Sequence, residues 1–197
     1  NQLVLDEAAR LCDGGADDEA LMFGALLHDV GKPVTTATTD GRVRSPGHDV
    51  RGVAIAAAFL ERMRAPGDLV LRVGGLVEHH LAPALFAKNA ASAKGYRRLA
   101  RKLAAAKLTA ELLERVARAD HFGRTTEDAL LREFPAGDGF LARMRELSID
   151  RSPPRDVVLG RHLIARGMQP GREFGESLER CGRLEDETAA TDPGETP

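Results

Sequence analysis

Apolar residues recur at helical spacing from the start of the chain. In "NQLVLDEAARL" the residues Leu3, Leu5, Ala8, Ala9 and Leu11 follow a helical period, with no capping residue or turn ahead of them. After Asp13-Gly14-Gly15, "DDEALMFGALLHD" predicts a second helix. Acidic residues occupy its first turn, where they suit the positive end of the dipole, and Gly31 and Pro33 stop it. Residues Val34 to Gly47 are rich in Thr, Gly, Asp and Ser and predict a loop or a short extended excursion. "VRGVAIAAAFLERMR" and, past Pro66-Gly67, "GDLVLRVGGLVEHHL" return to helix. A polar linker at 87–95 then leads into "YRRLARKLAA" and "TAELLERVARADHFG", both helical in period.

Shorter helices are expected near residues 126–134 and 138–147. "DRSPPRD", residues 150–156, punctuates the chain. Beyond it a short helix, a Gly-Met-Gln-Pro turn and a longer helix starting near Pro170-Gly171 are predicted. The expected organisation is a helical domain at 1–149, a C-terminal helical segment at 150–186 and a disordered acidic tail at 187–197, where apolar content almost vanishes. No internal repeat is visible.

Composition sharpens the fold class. The 197 residues include no Trp and one Tyr, are 43% hydrophobic and 29% charged, and favour Ala, Leu, Arg and Glu over β-branched and aromatic types. The fold class is therefore all-α. A formal net charge of -2 excludes coating of nucleic acid by bulk charge, while leaving room for local basic patches. Cys12 and Cys181 lie far apart, and there is neither a signal-peptide pattern nor an apolar run near 18 residues. No disulfide framework and no membrane span are expected, and the chain reads as cytoplasmic.

Four short motifs carry the candidate chemistry: His28-Asp29, "PGHD" with His48, "EHH" with His79 and His80, and "RADHFGR" with Asp120. They fall at predicted helix ends or on apolar faces, where a buried charged group must be paired or must bind a metal. Neighbouring helical residues point about 100° apart, so His28 and Asp29 can reach one ion from adjacent directions, or Asp29 can bridge two. Imidazole together with carboxylate suits a divalent transition metal better than an all-oxygen calcium cage. A single His-Asp pair is weak, since a capping Asp beside a half-buried His is the commoner situation. The order and spacing of all four motifs carry the argument.

That order resembles the HD superfamily of metal-dependent phosphohydrolases. "GALLHDVGKPVTT", "DGRVRSPGHDVRGVAIAAAFLERMRAP", "LVEHHLAP" and "ELLERVARADHFGR" are similar to the HD region of bacterial tRNA nucleotidyltransferases, the CCA-adding and poly(A) polymerase family. "LGRHLIARGMQPGREFGESLER" is similar to the segment that follows it there, so the resemblance covers roughly residues 3–185. It implies an HD helical bundle with a C-terminal helical extension. Its implied ligands are His28, Asp29 and Asp120, with His48 and one of His79 or His80 completing a second ion or contacting substrate; His80 is the better match. Implied cofactors are one or two divalent ions of Mn, Ni, Co, Mg, Fe or Zn.

The implied activity is hydrolysis of a phosphate ester on a nucleotide or RNA, as a 2′,3′-cyclic phosphodiesterase, nucleotidase or phosphatase, with tRNA as an implied partner. Lys32, Arg51 and Arg124 are the candidate cations for the phosphate; Lys32 is also a candidate for stabilising charge in catalysis alongside His28 and Asp29. The alternatives are a non-catalytic tRNA-binding body module, with Arg97, Arg98, Arg101 and Lys102 as an RNA-tracking stripe, and an HD hydrolase for another nucleotide. His121 is expected to face solvent. The family's strand-rich nucleotidyltransferase core has no counterpart in this chain, so nucleotide addition by the chain alone is not expected, and a nucleotidyltransferase domain ahead of it in a longer chain is implied. The family pattern also begins with a histidine, which "NQLVLDEAARL" places about one residue before Asn1, leaving the expected site one ligand short.

Overall fold

Most of the predicted helices form close to where periodicity places them. The computed structural model describes residues 2–188. The elements are α1 (Gln2–Leu11), α2 (Asp18–Leu27), α3 (Lys32–Thr35), β1 (Ala37–Thr39), β2 (Arg42–Arg44), α4 (His48–Arg62), α5 (Gly67–His79), α6 (Ala82–Lys88) and α7 (Ala93–Ala105). They continue with α8 (Ala110–Phe122), α9 (Glu127–Leu130), α10 (Pro135–Glu146), α11 (Gly160–Ala165) and α12 (Arg172–Thr188). Side-chain caps set two of the starts: Ser92 accepts from the Gly95 N–H ahead of α7, and Thr109 from the Leu112 N–H ahead of α8.

Three local expectations are corrected. Pro33 does not merely stop a helix; it sits in the first turn of α3, where a missing N–H costs nothing. The polar linker expected at 87–95 shortens to the few residues between Lys88 and Ala93, because Pro83 opens the additional helix α6. The excursion at 34–47 contains an antiparallel hairpin, with Ala37 opposite Arg44 and Thr39 opposite Arg42. Its two-residue turn is Asp40-Gly41, both at positive φ (52° and 71°), the backbone that matches the twist of a tight hairpin. The pair that signals such a turn was present in the sequence. Of the expected acidic tail, residues 189–197 lie outside the described residues.

Helix α8 runs through the body, in contact with α1, α2, α5, α6 and α10, while α4 lies along α5. Leu21, Leu60, Leu76, Leu113 and Val116 are fully buried where these helices meet, each contributing roughly 1.5–3 kcal/mol through removal from water. Phe86, Tyr96 and Phe140 join α6, α7 and α10 in an aromatic cluster with ring centroids 4.9–6.1 Å apart. The C-terminal segment rests on α7 through charge. Arg101 binds Asp156, Asp186 (3.1 Å) and Glu185 (3.7 Å), and Glu185 accepts from the Val157 and Val158 N–H groups. No helix among the described residues is long and apolar enough to cross a membrane.

One close approach positions everything that follows. The turn after α2 passes so near the start of α4 that a Cβ on Gly31 would lie 2.0 Å from the His48 carbonyl oxygen and 2.8 Å from the Gly52 nitrogen. Both obstacles are backbone and cannot swing aside. Gly31→Ala is therefore expected to lower the unfolding free energy by about 2–3 kcal/mol. In the exposed helical site Gly139, with nothing near its Cβ position, the same change should be neutral or stabilising by about 0.5–1 kcal/mol. Urea denaturation of the two variants checks the contrast.

Candidate metal centre

Four helix ends converge beside Gly31. His28 is the residue that ends α2, His80 ends α5, Asp120 lies in the last turn of α8, and His48 opens α4. Three of these ends are C-termini, the negative ends of their dipoles, which favours a cation. The start of α1 reaches the same corner: a Cβ on Gly123 would meet the Val4 nitrogen at 2.9 Å.

Each imidazole is oriented by the same device. His28 Nδ1 is 2.8 Å from the Ala25 carbonyl oxygen, His48 Nδ1 2.8 Å from that of Ser45, and His80 Nδ1 2.8 Å from that of Val77. For His28 and His80 the acceptor is a last-turn carbonyl, which the helix itself leaves without a partner. A neutral imidazole donating through Nδ1 presents the lone pair of Nε2. All three Nε2 atoms turn toward one carboxylate. Asp29 Oδ1 is 3.2 Å from His48 Nε2 and 3.9 Å from His80 Nε2, while Asp29 Oδ2 is 3.2 Å from His28 Nε2. His28 Nε2 is also 3.4 Å from Asp120 Oδ1. The rings meet edge to face, His80 lying 5.2 Å from His28 and 5.4 Å from His48.

Two ligand groups result, Asp29-His48-His80 and His28-Asp29-Asp120, each with its donor atoms within 4.8 Å of one another. Asp29 belongs to both. His48 Nε2 and His80 Nε2 are buried with no hydrogen-bond partner, a state that costs free energy unless a cation takes the lone pair. The residues therefore fit a divalent ion with borderline nitrogen and oxygen preference. Protonation equilibria reflect the same crowding. Burial disfavours charge on His28, yet Asp120 and Asp29 overcome it and raise the imidazole to about 9. Burial also opposes charge on the two carboxylates, but His28 with Lys32 holds Asp29, and His28 with Arg124 holds Asp120, well below the ordinary carboxylate range. Burial, reinforced by the charge on His28, lowers His80 to about 4.

Lys32 bonds Asp29 Oδ2 and Arg124 bonds Asp120 Oδ2, each about half exposed at the rim. Arg51 lies one turn beyond His48 on α4, exposed. His79 is not brought to the centre. Adjacent positions on a helix diverge, and its Nε2 lies 3.6 Å from Glu78, beside a cavity lined by Phe86, Arg98 and Lys102. Burial lowers its proton affinity. Of the six candidate ligands the structure brings together His28, Asp29, His48, His80 and Asp120. His121 is buried rather than solvent-facing: it donates from Nε2 to the Glu133 carbonyl (2.9 Å) and stacks on Phe134 at 4.5 Å. The basic stripe on α7 is largely engaged within the chain, Arg101 as above, Arg97 by the Asp186 carbonyl and Lys102 by Glu78; Arg98 is exposed. What sequence alone missed is the role of Ala25, Ser45 and Val77, because a carbonyl's function leaves no mark on residue identity.

Helix-end imidazoles and carboxylates sharing one aspartate, in an otherwise helical body, define a domain able to bind divalent metal. The chain belongs to the HD domain family, whose model matches residues 3–125. It is 32% identical over 160 residues to a CC-adding tRNA nucleotidyltransferase of Thermus thermophilus, covering 80% of this chain and 34% of the relative. It is 30% identical over 167 residues to an A-adding tRNA nucleotidyltransferase of Deinococcus radiodurans, covering 82% and 36%. A multifunctional CCA protein of Alkalilimnicola ehrlichii is 46% identical over 68 residues, 34% of this chain and 14% of that one. The chain thus spans about a third of the length of the first two relatives. No solved structure matches it.

Asp29→Asn is expected to abolish uptake of Mn or Ni in calorimetric titration, because it weakens both ligand groups. Loss should exceed the roughly 10- to 100-fold that disturbing an outer-shell partner costs. His79→Ala should leave uptake unchanged.

Proposed function

We propose that this chain is a metal-dependent phosphohydrolase acting on a nucleotide or RNA phosphate ester, with 2′,3′-cyclic phosphodiesterase, nucleotidase or phosphatase activity. The observation that carries the reading is the Asp29 carboxylate shared by two ligand groups whose imidazoles are tied off at Nδ1. A divalent ion held by His28, Asp29, His48, His80 and Asp120 would supply Lewis-acid polarisation of a phosphoryl oxygen and a water of lowered pKa.

The chain's own residues provide the rest. Lys32 and Arg124 each spend one donor on a ligand carboxylate and keep further N–H groups for phosphate oxygens. That tether holds the carboxylate in orientation and fixes the cation at the rim, where charge accumulates as a phosphate ester is cleaved. Two relatives are named as tRNA nucleotidyltransferases, so an RNA-linked substrate and a companion nucleotidyltransferase domain in a longer chain belong to the same proposal. The alternative of a non-catalytic RNA-binding module loses ground because Arg97, Arg101 and Lys102 are taken up by partners within the chain.

Supplied with Mn, Ni, Co or Mg, the protein is expected to hydrolyse 2′,3′-cyclic AMP, 2′-AMP or an aryl phosphate. His28→Ala and Asp29→Ala should each reduce the rate at least about 1,000-fold with the far-ultraviolet circular dichroism retained, and Lys32→Ala about 10- to 100-fold. Inactivity on all three substrates, or full activity in Asp29→Ala, would end the proposal.

A further inference from the structure

The hairpin that precedes His48 contributes nothing to the core. All six strand residues are exposed, Val43 to 72%, and an isolated two-stranded hairpin is marginal in water. Its order comes from its base. Thr36 Oγ1 lies 2.7 Å from Ser45 Oγ and donates in turn to the Lys32 carbonyl, while the Ser45 carbonyl receives the Nδ1–H of His48. The hairpin is thus built out from the ligands of the metal centre.

Its charge is one-sided. Arg42 and Arg44 alternate with Val43 along β2 and so share a face, their Cα atoms roughly 7 Å apart. That spacing is comparable to the distance between successive phosphates of an extended single strand. Neither arginine has a carboxylate partner among the described residues, and neither does Arg51. Elsewhere Arg72, Arg101, Arg115, Arg118 and Arg132 each grip one, although exposed arginines such as Arg62, Arg64 and Arg98 do not. Asp40 at the turn is the hairpin's single acid. Arg44 adjoins Ser45, so its Cα lies within about 4 Å of the residue that orients His48. On the far side, between His80 and Phe134, the free volume is only about 20 Å³, room for one water. Lys32, three residues from Asp29 on the hairpin side, is 48% exposed.

We infer that residues 36–45 form a cationic arm that holds the phosphodiester backbone of an RNA strand whose terminal phosphate enters the Asp29 centre. The preferred substrate class is then an RNA end rather than a free mononucleotide. A mononucleotide reaches Lys32 and Arg124 but offers Arg42 and Arg44 no second phosphate. This rests on the reading of the centre as a phosphohydrolase and adds to it the class of substrate.

The test compares a ten-nucleotide single-stranded RNA ending in a 2′,3′-cyclic phosphate with 2′,3′-cyclic AMP, in the wild type and in R42A/R44A. In the wild type, kcat/KM for the RNA should exceed that for the mononucleotide by about tenfold or more at about 50 mM salt, the gap closing near about 500 mM. The double variant should lose the gap, with mononucleotide turnover within about twofold of wild type. A gap that survives in R42A/R44A, or an equal loss on both substrates, overturns the arm. Absence of hydrolysis on either substrate refutes the phosphohydrolase reading and leaves the arm to be judged by fluorescence anisotropy of the same RNA. There the slope of log affinity against log salt should fall by about 1.4 in the double variant, the release expected from two single-strand phosphate contacts. An unchanged slope overturns the arm.

Discussion

Three imidazoles and two carboxylates gathered at the ends of packed helices would scatter or bond one another at random unless something fixed their direction. The fixing interaction is a backbone carbonyl three residues upstream of each histidine, which takes the Nδ1–H and leaves Nε2 to face inward. For two of the three histidines the carbonyl is free because the helix ends there. Helix termination and ring orientation are thus one event, and the site depends on helices stopping where they do. Dipole direction adds to this, since three C-terminal ends at one point select for positive charge.

The all-α class, most helix positions and the four motifs were legible because they depend on period, capping and residue type, which a sequence states directly. Asp29 and His48 were readable as candidates for the same reason. His80, the better match in the family resemblance, is the one that faces Asp29; helical period alone does not separate it from His79, because the two are adjacent at the end of α5. Helix α6 was hidden because "LAPALFAK" is short and opens on a proline, which reads equally well as a break. The hairpin was signalled by Asp40-Gly41 but masked by the absence of an alternating apolar pattern, since both faces are in solvent. The partners that draw in Arg97 and Arg101 of the expected stripe, Asp156 and Asp186, are distant in sequence and left no local signal.

Packing and chemistry meet at Gly31. The pass of one backbone over another between the end of α2 and the start of α4 admits no side chain, and it is this pass that sets Asp29 against His48. A residue with no functional group therefore controls a distance between two that have them. The C-terminal segment shows the opposite economy. It is joined to α7 by the Arg101 cluster, where Glu185 and Asp186 are buried, so its attachment is sensitive to charge.

Ser45 carries two bonds with different clients. Its carbonyl aims a ligand and its hydroxyl ties the foot of the hairpin to Thr36. Anyone transplanting this centre into another helical scaffold would find the five ligand residues insufficient as a cassette. Alongside Val77–His80 and Asp120, the stretch from Ala25 to Gly52 would have to travel unbroken, hairpin included, because the loop that looks dispensable is the jig in which His48 is set.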